Sequence, residues 1–166
     1  VPEAQHVSLS KKARIIPAMP AQSFSIGLCS WDEARTEARP IRELVFVREQ
    51  AVPLELELDE EDPRCEHALA RTADGAAVGT GRLLPDGHIG RMAVLKEWRG
   101  QGVGALLLRA LIERARERGH ARARLNAQTY AIGFYRRYGF EVSGPEFMDA
   151  GIPHVPMHRD LATAQR

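Results

Sequence analysis

Sulfur and lysine are scarce in this chain. It has two cysteines, Cys29 and Cys65, in 166 residues. Neither sits in a C-x-x-C spacing or beside a histidine, so a disulfide framework and a cysteine–histidine metal site lack support, and two free thiols in a reducing compartment are expected. Lysine occurs only at Lys11, Lys12 and Lys96, and arginine supplies the rest of the 23 basic residues, against 22 acidic ones. The resulting net charge of +1 gives no global reason to expect nucleic acid or a membrane surface as partner. No run reaches the roughly 18 apolar residues of a membrane-spanning helix. Residues 11–21 open with two lysines but continue Ala-Arg-Ile-Ile-Pro-Ala-Met-Pro-Ala. That is too short and too broken by proline for a signal peptide, so a cytoplasmic protein is expected.

What is present is an ordinary globular composition, 44% apolar and 27% charged, which excludes disorder or a coiled coil as the main state. A chain of this length folds as one domain and buries about 70% of its unfolded surface, so its core needs no metal or disulfide. Residues 1–22 lack periodicity and read as a flexible arm, and 162–166 read as a tail. Ser23–Leu28 reads as a strand. Ser30 and Glu33 form a capping box that opens a helix to about Ala38, and Pro40 at N1 opens a second helix through Gln50, stopped by Pro53. Glu55–Asp62 holds six carboxylates in eight residues, bracketed by Pro53 and Pro63, and is expected mostly as a loop. Three strands follow, His67–Thr72, Ala76–Leu84 and His88–Leu95, joined by tight turns at Asp74-Gly75 and Pro85-Asp86-Gly87 into an antiparallel meander. Val103, Leu107, Ala110, Leu111 and Ala115 then recur at helical spacing, with Gly119 as C-cap. Ala121–Gln128 is a strand, Ala131–Tyr138 a short helix, and Phe140–Ser143 and His154–His158 are late strands. The order β-α-α-β-β-β-α-β-α-β-β predicts a mixed α/β domain without repeats.

The informative stretch is Arg91-Met92-Ala93-Val94-Leu95-Lys96-Glu97-Trp98-Arg99-Gly100-Gln101-Gly102-Val103-Gly104. A strand runs into three alternate glycines that open the longest helix. Glycine lets backbone approach an anion, and the first helical N–H groups have no intrahelical partner. The segment therefore reads as a backbone cradle for a diphosphate. Gly100-x-Gly102-x-x-Ala105 also fits a dinucleotide fingerprint. That reading expects an acidic residue about 20 positions on, where Ala121–Gln128 carries Arg122, Arg124 and Asn126, and only 62 residues follow Gly104. No Gly-Lys-Ser/Thr is present, which excludes a P-loop.

Arg99-x-x-Gly102-x-Gly104 resembles the acetyl-CoA loop of the GCN5-related N-acetyltransferases (GNAT), and Arg91-Met92-Ala93-Val94 resembles their cofactor strand. Asn126-Ala127-Gln128 with Ala131-Ile132-Gly133-Phe134-Tyr135-Arg136-Arg137-Tyr138-Gly139-Phe140 is similar to their second signature. Val45-Phe46-Val47-Arg48-Glu49-Gln50 and Gly151-Ile152-Pro153-His154-Val155-Pro156-Met157 resemble a small bacterial branch. The resemblance covers about 23–161 and implies a single acetyltransferase domain: a mixed central sheet of about seven strands, splayed at the middle and flanked by about four helices. It implies acetyl-CoA as cosubstrate, with no metal, held by Met92, Ala93, Val94, Arg99, Gly100, Gln101, Gly102, Val103, Gly104, Asn126, Ala131, Phe134 and Arg137.

Charge agrees with a polyanionic ligand, since Arg91–Arg124 holds nine basic residues against three acidic ones. Acetyl transfer requires a proton for the leaving thiolate, and a tyrosine of pKa ~10 can give it at neutral pH. The resemblance places Tyr135 in that role, with Tyr138 as alternative. For the base, Glu49, His67, His88 and His154 are candidates, and Glu49 and His154 are favoured. The acidic run predicts a small cationic amine as acceptor. The apolar residues of Ile152–Leu161 suffice to pair a partner's edge or close their own sheet, and a symmetric homodimer is expected. A non-catalytic acyl-CoA sensor and an NAD(P)-binding oxidoreductase are the alternatives.

Overall fold

The computed structural model describes residues 23–161. The expected arm at 1–22 and tail at 162–166 lie outside the described residues. Strands β1 (Ser25–Cys29), β2 (Glu66–Arg71), β3 (Ala77–Leu83) and β4 (Ile89–Val94) form an antiparallel sheet in that order, which includes the predicted meander. Both faces are covered, so the alternation that marks a one-sided strand disappears from β2. Ala68 and Ala70 pack on α3 (Val103–Glu117), while Leu69 packs on Trp31, Ala34 and Ala38 of α1 (Trp31–Arg42). Close approach of α3 explains the glycines of β3: a Cβ on Gly79 would stand 2.9 Å from Leu107, and one on Gly81 2.8 Å from Leu111. The apolar stripe of α3 is buried as predicted, with Val103, Leu107, Leu108, Leu111 and Ile112 in the core. Each contributes about 1.5–3 kcal/mol by leaving water.

Ser30 caps α1 as expected, its Oγ accepting the Glu33 N–H at 3.4 Å. The predicted break before Pro40 does not occur. The helix passes through Pro40 to Arg42 and widens into a π-helical turn over Glu43–Glu49. An interior proline costs about 3 kcal/mol. Here the stripe Ala34, Ala38, Ile41 and Val45, all buried, outweighs it, and the π turn reseats the chain just beyond the missing N–H.

The acidic run also departs from expectation. Leu54–Glu57 forms a short helix, α2, and Asp62–Arg64 a 3₁₀ turn. Glu57 and Asp62 are buried at 3% and 2% exposure because three arginines meet them. Arg42 contacts Glu57 and gives two hydrogen bonds to Asp62, at 2.8 and 3.1 Å. Arg82 bonds Asp59 at 2.7 Å and Asp62 at 2.9 Å. Burial works against charge on Asp59, but Arg82 and Arg91 hold its carboxyl below the ordinary range.

The second sheet has β5 (Arg122–Gln128), β8 (Ile152–Asp160) and β6 (Glu141–Val142) in that order, with β7 (Phe147–Asp149) also paired to β8. All these pairs are antiparallel. A single parallel bridge, His88–Arg124, joins the two sheets. The expected mixed sheet of about seven strands is thus, among the described residues, eight strands in two antiparallel halves that splay from that bridge. Strand β7 was missed, and β8 is longer than His154–His158, because Pro153 and Pro156 break the strand pattern. The turn between β7 and β8 is set by positive φ at Ala150 (49°) and Gly151 (76°). Val155, Met157 and Leu161 are buried in the main core, so this segment closes its own sheet.

Candidate active site

Beyond the His88–Arg124 bridge, β4 and β5 form no ladder among the described residues, and a cleft of about 910 Å³ opens between them. A β-bulge shapes its β4 wall. The β3–β4 register shifts so that Arg91 and Met92 stand opposite Gly81, and Arg91 takes φ 47°. For a residue with a Cβ that conformation costs roughly 1–2 kcal/mol. Arg91 Nη2 compensates with bonds to the carbonyls of Leu56 (3.1 Å) and Glu57 (3.3 Å) and to Asp59 (3.2 Å). The bulge also resets alternation: Met92 and Val94 pack with the α3 core, while Ala93 packs with Ile41 and Val45 on the opposite face.

On the α3 face, Gly102 is the helix N-cap with φ 86°, and no side chain caps that end. The first turn carries no acid, and the first N–H seen to bond back is that of Leu106, to the Gly102 carbonyl. The amides of Val103, Gly104 and Ala105 therefore face an open approach, and Gly100 and Gly102 have nothing within 4 Å of where a Cβ would sit. These residues could hold a diphosphate. Gly104 is helical, and a Cβ there would make ordinary contacts, 3.6 Å to Phe134 and 3.9 Å to Val94.

Tyr135, on α4 (Ile132–Arg137), packs edge-on against Phe134 and Phe140 and lines the cleft. Its hydroxyl makes no hydrogen bond to any described residue, and burial pushes its pKa up to about 12. It is therefore a neutral O–H donor on a residue that lines the cleft. Tyr138 also lines the cleft, and Arg109 lies over its ring at 5.5 Å.

On the other face, His154 donates Nδ1–H to the Ile152 carbonyl at 2.7 Å and stacks on Phe147. That bond fixes the neutral tautomer with its lone pair on Nε2. His88 also lines the cleft, with Nδ1 2.9 Å from Asp86. His67 does not belong to it: it lies 1% exposed beneath Trp31, bonded through Nε2 to the Asp62 carbonyl, and burial lowers its pKa.

The cleft brings together Met92, Ala93, Val94, Arg99, Gly100, Gly102, Val103, Gly104, Asn126, Ala131, Phe134, Tyr135, Arg137 and His154. Gln101 is not among the lining residues, and its amide reaches the Glu97 carbonyl at 3.4 Å. Glu49 is absent from the lining too. It grips Arg99 Nη2 with both oxygens, at 2.8 and 3.0 Å, while Arg99 Nε bonds the Val94 carbonyl at 2.9 Å. The expected base and the expected phosphate ligand thus hold each other. Sequence reasoning missed Gln50, bonded to Gln128 across the cleft at 2.9 Å, and Asp149 on the β7–β8 turn. Neither carries a local pattern; the π turn and the unrecognised hairpin bring them in.

Among the described residues, no group of three or more His, Cys, Asp or Glu could hold a metal ion, and no helix is long and apolar enough to cross a membrane. Several known proteins resemble this chain. It is 42% identical over 133 residues to the uncharacterized N-acetyltransferase YjcF of Bacillus subtilis (strain 168), covering 78% of this chain and 94% of that one. It is 39% identical over 132 residues to the UPF0039 protein Rv2851c of Mycobacterium tuberculosis, covering 74% and 82%. The crystal structure of an acyl-CoA N-acyltransferase from Pseudomonas aeruginosa superposes with a TM-score of 0.74 at 28% identity, over 82% of this chain and 99% of that one. Residues 41–161 match the acetyltransferase (GNAT) domain, and with a splayed sheet, an uncapped glycine-opened helix and a half-buried tyrosine at the seam, the chain belongs to the GNAT acyltransferase family.

Proposed function

We propose that this protein moves an acetyl group from acetyl-CoA to a primary amine by direct attack in a ternary complex, the amine being small and arriving as its cation. Acetyl-CoA supplies the thioester carbonyl; the amides of Val103, Gly104 and Ala105, with Arg99 once it leaves Glu49, would hold its diphosphate. Backbone groups of Met92–Val94 left unpaired by the splay, and Asn126 beside them, would line the arm that follows. Tyr135 keeps a proton for the leaving sulfur, a thiolate of ordinary pKa ~8.5 that is a poor leaving group without one. His154 Nε2 and Glu49 can accept the ammonium proton, and Asp149 adds a carboxylate to that wall. We propose a homodimer as well, with exposed Val142, Phe147 and Met148 on the late strands as its surface; light scattering showing a monomer at tens of micromolar would reject it.

The observation that carries this reading is the unbonded Tyr135 hydroxyl in the seam. A sensor that only binds acyl-CoA has no need of a proton donor there. Tyr135→Phe is expected to lower turnover ~10²–10⁴-fold with acetyl-CoA affinity nearly unchanged. Thiol release measured over a panel of amines tests it, and turnover within threefold of the parent would remove Tyr135 from the role.

A further inference from the structure

We propose that the acceptor amine also carries a carboxylate, received by a basic annex of the cleft that His88, Arg124 and His158 build in one row across three strands. The inference rests on the acetyl-transfer reading and names its substrate class.

The row follows from register. His88 bridges Arg124, Arg124 stands opposite His158, and His158 stands opposite Glu141 at the edge. Residues opposed across a sheet share a face. Leu125 and Ala127 turn toward the α3 core, so Arg124 and Asn126 turn to the opposite face, where Gln128 meets Gln50. Two imidazoles and the Arg124 guanidinium therefore stand side by side on that face, with no acid between them. Of the nearby acids, Asp160 pairs with Arg122 at 2.7 Å, Asp86 lies 2.9 Å from His88 Nδ1, and Glu141 stands opposite His158 in register. Arg124 has no ion pair among the described residues.

These side chains surround a second cavity of about 300 Å³, lined also by Arg122 and Ser143. None of the acids Asp86, Glu141 and Asp160 lines it. It adjoins the cleft, and His88, Leu125 and Asn126 line both. A carboxylate at Arg124 would gain a charge-assisted bond there. Two residues of strand separate Arg124 from Asn126, roughly 7 Å. An acceptor that spans this distance has its reacting amine several bonds from its carboxylate: an ω-amino acid, or an amino acid reacting through a side-chain amine.

The test compares each ω-amino acid, from β-alanine to 6-aminohexanoate, with its neutral amide, by thiol release at fixed saturating acetyl-CoA. The acid is expected to exceed its amide at least tenfold in kcat/KM, with the preference rising as the chain lengthens toward the required span. In Arg124→Gln, and in His158→Gln as a second variant, that preference should collapse toward one through KM. Calorimetry with N-acetyl-6-aminohexanoate, a product mimic, should show at least tenfold weaker binding to Arg124→Gln, independently of turnover. Equal kcat/KM for acid and amide, or a preference unchanged in both variants, would overturn the annex. Calorimetry with acetyl-CoA separates the two readings: if acetyl-CoA binds and amides react as well as acids, the acetyl-transfer reading stands while the annex falls, and if acetyl-CoA does not bind, both fall.

Discussion

The acidic segment Glu55–Asp62 and the basic stretch Arg91–Arg124 have opposite relations to solvent. Glu57 and Asp62 fold inward and meet Arg42 and Arg82 at 1–7% side-chain exposure. Most of the basic stretch stays outside and pairs with surface acids, Arg116 with Glu113 and Arg122 with Asp160. Formal charge therefore says little about which wall attracts a ligand. The acids that looked like bait for a cation are largely consumed in fastening the 54–64 segment to β2 and β3, while Arg124, one basic residue among many, is left unpaired at the seam. Inside the protein a charge must be answered by a partner; at the surface it need not be.

The sharpest way to break this contrast is to remove a partner from the buried side. Arg42→Ala leaves Glu57 and Asp62 buried with one guanidinium fewer, which is expected to cost about 3–5 kcal/mol. Arg122→Ala, whose partner Asp160 is 73% exposed, should change stability by less than about 1 kcal/mol. Urea unfolding of the two variants checks the difference. Similar losses would mean that the inward carboxylates are reached by water and are not structural.

Tyr135 extends the contrast to a neutral buried group. Its pKa is raised to about 12 by burial, against ~10 in the unfolded chain. The unfolded state therefore releases this proton first as pH rises, so the Tyr135 contribution to stability is constant below pH ~10 and falls between ~10 and ~12, by at most about 2–3 kcal/mol. Tyr135→Phe should lose that component of alkaline destabilisation. Parallel stability curves for parent and variant across that window would show the ring to be better hydrated than its packing implies.

What could be read from the sequence divides along the same line. The glycine-opened helix, its apolar stripe, the meander and the α4 tyrosine are local patterns, since each rests on residues within a few turns of one another. The buried ion network is not local: Arg42, Asp62 and Arg82 come from α1, a 3₁₀ turn and β3, and their pairing exists only after folding. The same holds for the Arg91 bulge and for Pro40, where tertiary burial of Ile41 and Val45 overrides a strong local rule. Strand β7 escaped because its three residues follow a turn and precede a proline-bearing partner strand.

The cradle gives a further contrast, between a glycine that shapes the chain and one that leaves room. Gly102 sits at φ 86° and Gly104 at ordinary helical angles. Gly104→Val should therefore fold, because the first side-chain carbon meets only Phe134 and Val94 at ordinary distances, yet it covers the amides that would receive a diphosphate. At least a tenfold loss of acetyl-CoA affinity is expected, about 1.4 kcal/mol, measured by calorimetry on the folded variant. Gly102→Ala should instead lose roughly 1 kcal/mol of stability from the left-handed cap. If Gly104→Val binds acetyl-CoA as the parent does, the helix end is a turn that packs and nothing more.

The smallest expected effect concerns the pair formed by the proposed base, Glu49, and the proposed phosphate ligand, Arg99. Glu49 and Arg99 are 35% and 43% exposed, so their salt bridge contributes only about 0.2–1 kcal/mol. A diphosphate that recruits Arg99 must first break that contact, and the contact resists binding by the same amount. Glu49→Gln weakens the competitor while keeping its shape, and should tighten acetyl-CoA two- to fivefold at low salt, the factor shrinking as salt screens the parent's pair. The same variant should raise KM for the amine, because a carboxylate released by cofactor binding would no longer meet the ammonium. A Glu49→Gln protein that binds acetyl-CoA more weakly than the parent would reverse the assignment: the carboxylate would then be positioning Arg99 for the phosphates instead of withholding it.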